Sequence, residues 1–199
     1  MGYGLSIYCA PPEQLQRIVG SRDEALMNEV LSEMADWLTD YDRQMGAPDT
    51  DPDADPDISH ADAVREIFTG DFTNVPRTSR YGWAMEVILA FFGERLSYDG
   101  FIPVDTEWYQ TLDETLDEHG VADVRFTKLI WQSPFKIPEP DDWPCIGHWT
   151  ESDIAAAAEA MPRVLAKVED DIHTAFATAL GWCEQARKQP GHMLVGFHG

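Results

Sequence analysis

A chain of 199 residues, 44% apolar and 11% aromatic, has the means to bury a core without cross-links. Its 36 Asp and Glu against 14 Lys and Arg leave a formal net charge of −22, a field that repels phosphate backbones and speaks against direct nucleic-acid binding. Three cysteines (Cys9, Cys145, Cys183) make no disulfide framework and suit a reducing cytosol, and no window approaches the ~18 apolar residues of a membrane span.

The opening MGYGLSIYCAPP lacks the basic start and apolar length of a signal peptide, so a soluble, cytoplasmic protein without a membrane partner is expected. Residues 2–10 alternate as a strand, with Tyr3, Leu5, Ile7 and Cys9 on one face. Pro11-Pro12 stops the strand and opens a short helix that ends at Gly20. Ser21 is placed to cap a longer helix running to about Gln44, with Ala25, Leu26, Val30, Met34, Trp37 and Leu38 as its apolar stripe.

Residues 46–58, GAPDTDPDADPDI, interrupt this pattern with prolines and acids. The alternation Asp51, Asp53, Asp55, Asp57 imitates a calcium loop, and Asp62 falls where such a loop places its last ligand. Pro56, however, replaces the glycine of the sharp turn. A solvated acidic loop is the expectation, with no metal. Ser59 then caps HADAVREIF, Asp62 serves as its capping-box partner and Gly70 ends it. The connector 71–80 carries Arg77 and Arg80, which either form an anion pocket beside Tyr81 or pair with the surplus carboxylates.

The run Tyr81 to Leu96, YGWAMEVILAFFGERL, is the most apolar helical stretch and reads as the central core helix. After the turn at Asp99-Gly100, Phe101 and Ile102 are expected to tuck back onto the core. Asp105 or Thr106 caps EWYQTLDETLDEHG, with Trp108, Leu112 and Leu116 buried. Glu107, Asp113, Glu114, Asp117 and Glu118 form its acidic outer face. Residues 121–131 mildly favour a short helix, and 132–149, with four prolines, read as irregular, Gly147 lying in a turn.

That segment holds Cys145-x-x-His148, a thiol and an imidazole at a spacing that serves a nucleophile or half a zinc site. No second half follows, and no phosphate-cradling loop, nucleophile elbow or dinucleotide fingerprint occurs, so no catalytic residue, metal or cofactor is assigned. Thr150 or Ser152 caps an Ala-rich helix ending near Met161-Pro162. A long helix over 162–188 follows, and HMLVGFH closes the chain as a strand. The predicted fold is therefore α+β and predominantly helical, with the N- and C-terminal strands paired in a small sheet. A single domain, 1–199, is expected, with the acidic loop inserted between helices.

The segments MGYGLSIYCAPPEQLQRIVGSRDEAL, YGWAMEVILAFFGERL and GWCEQARKQPGHMLVGFHG resemble a family of uncharacterised bacterial proteins, a domain of unknown function. The layout is also similar to that of the YfbM-like proteins, which begin with a short strand and end in a long helix, a basic turn and a final strand. The resemblance implies bacterial origin and a single domain, and it brings no reaction.

Two functions follow as expectations. One is a non-catalytic interaction protein, such as an immunity or antitoxin-like inhibitor. Its acidic faces, Asp51, Asp53, Asp55 and Asp57 with Asp113, Glu114, Asp117 and Glu118, would engage a basic protein partner. The other is a small-molecule binder or enzyme with a pocket near Arg77, Arg80, Tyr81, Cys145 and His148.

Overall fold

The computed structural model describes residues 4–45, 57–73, 78–140 and 143–199. In chain order its elements are β1 (Leu5–Ala10), α1 (Pro12–Ile18), α2 (Glu24–Glu33), α3 (Ala35–Met45), α4 (His60–Thr69), α5 (Ser79–Phe92), β2 (Glu94–Arg95), α6 (Thr106–Glu118), α7 (Lys128–Trp131), β3 (Cys145–Trp149), α8 (Glu151–Leu165), α9 (Asp170–Ala186) and β4 (Met193–His198). Helix dominates, and the strands form one antiparallel sheet ordered β2-β1-β4-β3, so the fold is α+β with the terminal strands paired. Contacts divide the chain into two compact units.

The first unit comprises Met1–Pro12, Glu94–Pro134 and Cys145–Gly199. Its two end strands pair over their whole length, from Leu5 opposite His198 to Ala10 opposite Met193. The period of two sends Leu5, Ile7, Cys9 and Leu194 into a core shared with α6, α8 and α9, while Tyr8, Val195 and Phe197 share the opposite face. That core is rich in rings: Phe101 packs on Trp182 at 4.8 Å, and Phe126 on Trp149 and Phe176 at 5.3 Å each. Its indoles reach backbone acceptors, Trp182 Nε1 donating to Ser97 O at 2.5 Å and Trp149 Nε1 to Arg125 O at 2.7 Å.

The segment expected to be irregular supplies β3, which pairs with β4 from Cys145 opposite His198 to Trp149 opposite Leu194. Gly147 is thus a strand residue, and it faces Gly196 across the ladder. The backbone of α7 lies over both glycines. A Cβ at Gly147 would collide with the backbone of Lys128, Leu129 and Ile130, and one at Gly196 with Leu129. Two facing glycines make the groove that lets a one-turn helix seat directly on a sheet.

Two other features differ from expectation. The break between the last two helices falls at Ala166–Glu169, and Pro162 lies within α8. The helix runs on past it because Ala157, Met161 and Val164 keep its buried face continuous, and tertiary burial outweighs one lost backbone bond. After the turn, Phe101 is buried as expected but Ile102 is 52% exposed.

The second unit comprises Glu13–Gly93 and Phe135–Pro144. Helix α4 has the ends its sequence announces: Ser59 Oγ accepts from Asp62 N at 3.0 Å, and Gly70 closes it in the left-handed conformation at φ 77°. Helix α1 is tied to α4 through the backbone, Gly20 N donating to Ile67 O at 2.9 Å and Arg22 N to Phe68 O at 2.8 Å. The helix expected over 21–44 is split at Met34 into α2 and α3, and its cap is Asp23, whose Oδ1 accepts from Leu26 N at 3.1 Å. Helix α5 is buried on all sides through most of its length, as its composition foretells. It stops at Phe92, and Glu94–Arg95, read as its last turn, form β2 against Tyr8 and Cys9. Gly82 of α5 lets the proline-rich segment approach: a Cβ there would lie 2.6 Å from Pro144 Cδ.

The glycines allow a paired test. Gly147→Ala is expected to destabilise the protein by about 3 kcal/mol or more through backbone overpacking, lowering Tm by roughly 6–12 °C. Gly181→Ala, in α9 with open space around it, is expected to stabilise by about 0.5–1 kcal/mol. Thermal melts of both variants check the pair.

Candidate functional site

Strand β3 places Cys145 and His148 three positions apart, and therefore on opposite faces of the sheet. Cys145 packs against the first unit's core, on the side of Tyr109, whose hydroxyl burial pushes up beyond its usual range. His148 Nδ1 donates to the carbonyl of Gln132 at 2.5 Å. The thiol and imidazole of the Cys-x-x-His spacing thus face apart.

The other cysteines are packing residues. Cys9 and Cys183 are buried, and burial pushes their thiols up to about 11 and about 12; Glu94 reinforces the shift at Cys9. None of the three cysteines forms a disulfide. Among the described residues, no group of three His, Cys, Asp or Glu is arranged to hold a metal ion.

Arg80 and Tyr81 belong to the second unit and are both buried. The Arg80 guanidinium meets Asp57 with Nε at 3.2 Å and Nη2 at 2.9 Å, and Asp42 with Nη1 at 3.5 Å. Its charge is therefore spent on carboxylates of the chain itself, the second of the two readings its sequence left open. Asp57, assigned from sequence to the solvated loop, has a fully buried side chain in this pair. Tyr81 Oη donates to Glu66 at 2.5 Å, and Glu66 also accepts from the backbone and hydroxyl of Thr73. Arg77, Asp51, Asp53 and Asp55 lie outside the described residues.

His60 completes this network in a way its sequence did not signal. Its Nδ1 donates to Asp42 Oδ1 at 2.6 Å, and its Nε2 is buried without a hydrogen-bond partner among the described residues. Burial lowers its pKa, and the nearby Arg80 charge works in the same direction against the pull of Asp42. Glu86, a polar residue within the core helix, is buried and accepts from Tyr41 Oη at 2.5 Å. A buried carboxylate without such a donor would be costly, which is why Tyr41 stands opposite it.

In the first unit, the acidic helix α6 divides its carboxylates between two tasks. At 3.6 residues per turn Glu107, Glu114 and Glu118 fall within about 40° of one another, while Asp113 lies about 120° from Glu107. Asp113 is accordingly turned into the protein, where it accepts from Phe126 N at 2.5 Å, Thr127 N at 3.4 Å and Thr127 Oγ1 at 2.6 Å. Burial pushes its pKa up, only partly offset by those donors. It moors the start of α7 and is lost to the outer face. Asp117 pairs with Arg125 at 2.6 Å. Glu107, Glu114 and Glu118 remain exposed and have no ion-pair partner among the described residues.

With this geometry in view, comparison with known proteins is specific on one point. A family model, the domain of unknown function DUF7691, matches residues 1–199. The chain belongs to that family. No curated protein and no solved structure matches it. Among the described residues no helix is long and apolar enough to cross a membrane.

Two measurements follow. Because the thiolate is the reactive species, a maleimide at pH 8 is expected to modify Cys9 and Cys183 at least roughly a hundredfold more slowly in the native than in the denatured protein, read by peptide mass spectrometry. His60 makes stability pH-dependent. Its folded pKa lies below the unfolded 6.5, so its contribution is complete above that value and is lost as pH falls from 6.5 through the folded pKa. Denaturant unfolding is expected to show lower stability at pH 5.5 than at pH 7. His60→Gln is expected to flatten part of this slope, the buried His198, lowered likewise, supplying another part.

Proposed function

We propose that this is a cytoplasmic bacterial interaction protein without catalytic activity, an immunity or antitoxin-like inhibitor that covers a basic surface of a partner protein. The observation that carries the reading is the exposed stripe Glu107, Glu114 and Glu118 on α6, three carboxylates with no cation paired to them among the described residues. Residues 107 to 118 span roughly 16 Å along the helix at its standard rise, the scale of a cationic patch rather than of a single ion. Asp57 and Asp113, by contrast, are consumed inside the fold, by Arg80 and by the start of α7. The three glutamates of α6 face water. With a net charge of −22, such a face would accelerate encounter with a basic partner and discriminate against acidic ones.

The test is affinity capture from a lysate of the source cells with wild type and with Glu107→Gln/Glu114→Gln/Glu118→Gln. One stoichiometric basic protein is expected to be retained at about 50 mM salt, released at about 500 mM, and lost with the triple variant. Retention unchanged by both salt and the substitutions would overturn the assignment to α6.

A further inference from the structure

A cavity of about 210 Å³ opens in the first unit, between the start of α8, the end of α9 and the turn that leads into β4. It holds the space of roughly seven waters, taking ~30 Å³ for each. Glu151, the first residue of α8, lines it, as does Arg187 just beyond α9. Both residues are exposed, both border the same space, and neither has an ion-pair partner among the described residues. Between them the wall is apolar, with Ile154 and Ala186 almost completely buried and Ala155 and Pro190 at the rim. His192 also lines the cavity, and its Nδ1 is buried without a hydrogen-bond partner among the described residues.

We infer that this cavity is a binding site for a small zwitterion, an α-amino acid with an aliphatic side chain. The guanidinium of Arg187 receives the carboxylate, for which its planar fork is suited. Glu151 receives the ammonium, and Ile154 with Ala186 covers the aliphatic side chain. The ring of His192 supplies the remaining polar contact. A ligand with only one of the two charges leaves the opposite residue of the site unanswered, so selectivity for the zwitterion follows from the two charges acting together. This inference is independent of the acidic stripe on α6.

The test is a titration of the full chain with L-valine, isovalerate and isobutylamine. Binding is measured by calorimetry, and the imidazole signals of His192 are followed by NMR. L-Valine is expected to shift His192 and to bind at least tenfold more tightly than either single-charge analogue. Arg187→Gln and Glu151→Gln are each expected to weaken it by at least tenfold. Ala155→Trp, a substitution at an exposed rim position that closes the cavity, is expected to abolish the His192 shift while leaving Tm unchanged. Equal affinity for valine and isovalerate would show an anion site instead and overturn the inference. So would the absence of any His192 shift at about 20 mM valine, about twentyfold above a millimolar Kd, or binding unchanged in the two charge variants.

Discussion

The first unit depends on β4 finding two partners at once. This last strand lies between β1, from the start of the chain, and β3, about fifty residues before it. Neither flanking strand touches the other, so without β4 there is no sheet on which α7, α8 and α9 can pack. Such pairing closes long loops before any contact rewards it, an entropic cost that the completed sheet must offset. The glycine pair Gly147 and Gly196 adds a second condition, since α7 seats only where neither strand carries a side chain. Asp113 then moors the same helix from α6 through the backbone and hydroxyl of Thr127. A sheet, a one-turn helix and a buried carboxylate are thus coupled, and loss of any one loosens the others.

Charge is handled differently in the two units. In the second, Asp42, Asp57 and Glu86 are drawn inside, where Arg80, His60 and Tyr41 answer them. Buried ionic groups of this kind contribute less to stability than their distances suggest, because desolvation consumes most of the attraction. Arg80 on α5 meets Asp42 of α3 and Asp57, which leads into α4, so the pairing links the three helices. In the first unit, Lys128 and Thr150 hold Asp153 below the usual carboxylate range although burial opposes its ionisation, which ties the start of α8 to α7. On α6 of that unit Glu107, Glu114 and Glu118 face outward instead.

The sequence by itself determined the elements whose signals are local. The period of two in LSIYCA and MLVGFH marked both end strands, Ser59, Asp62 and Gly70 bounded α4, and the nearly all-apolar circumference of Tyr81 onward marked a buried helix. Capping bonds and side-chain periodicity act within a few residues, so they can be read without knowing the rest of the chain. The acidic outer face of α6 was legible for the same reason, although Asp113, read as part of it, turns inward.

Only the tertiary structure decided the rest. Residues 145–149 are a strand because β4 offers an edge, and that assignment alone turns Cys145 and His148 to opposite faces. Glu94–Arg95 leave the helical pattern because β1 is there to pair with them. Helix α8 passes Pro162 because its buried face continues on the far side. Arg80 and Tyr81 were visible as candidates, but their partners Asp57 and Glu66 lie 23 and 15 positions away, and nothing local says which carboxylate will face which cation. The cavity of Arg187, Glu151 and His192 is of the same kind, assembled from a helix start, a helix end and a turn that meet only after the sheet has brought them together.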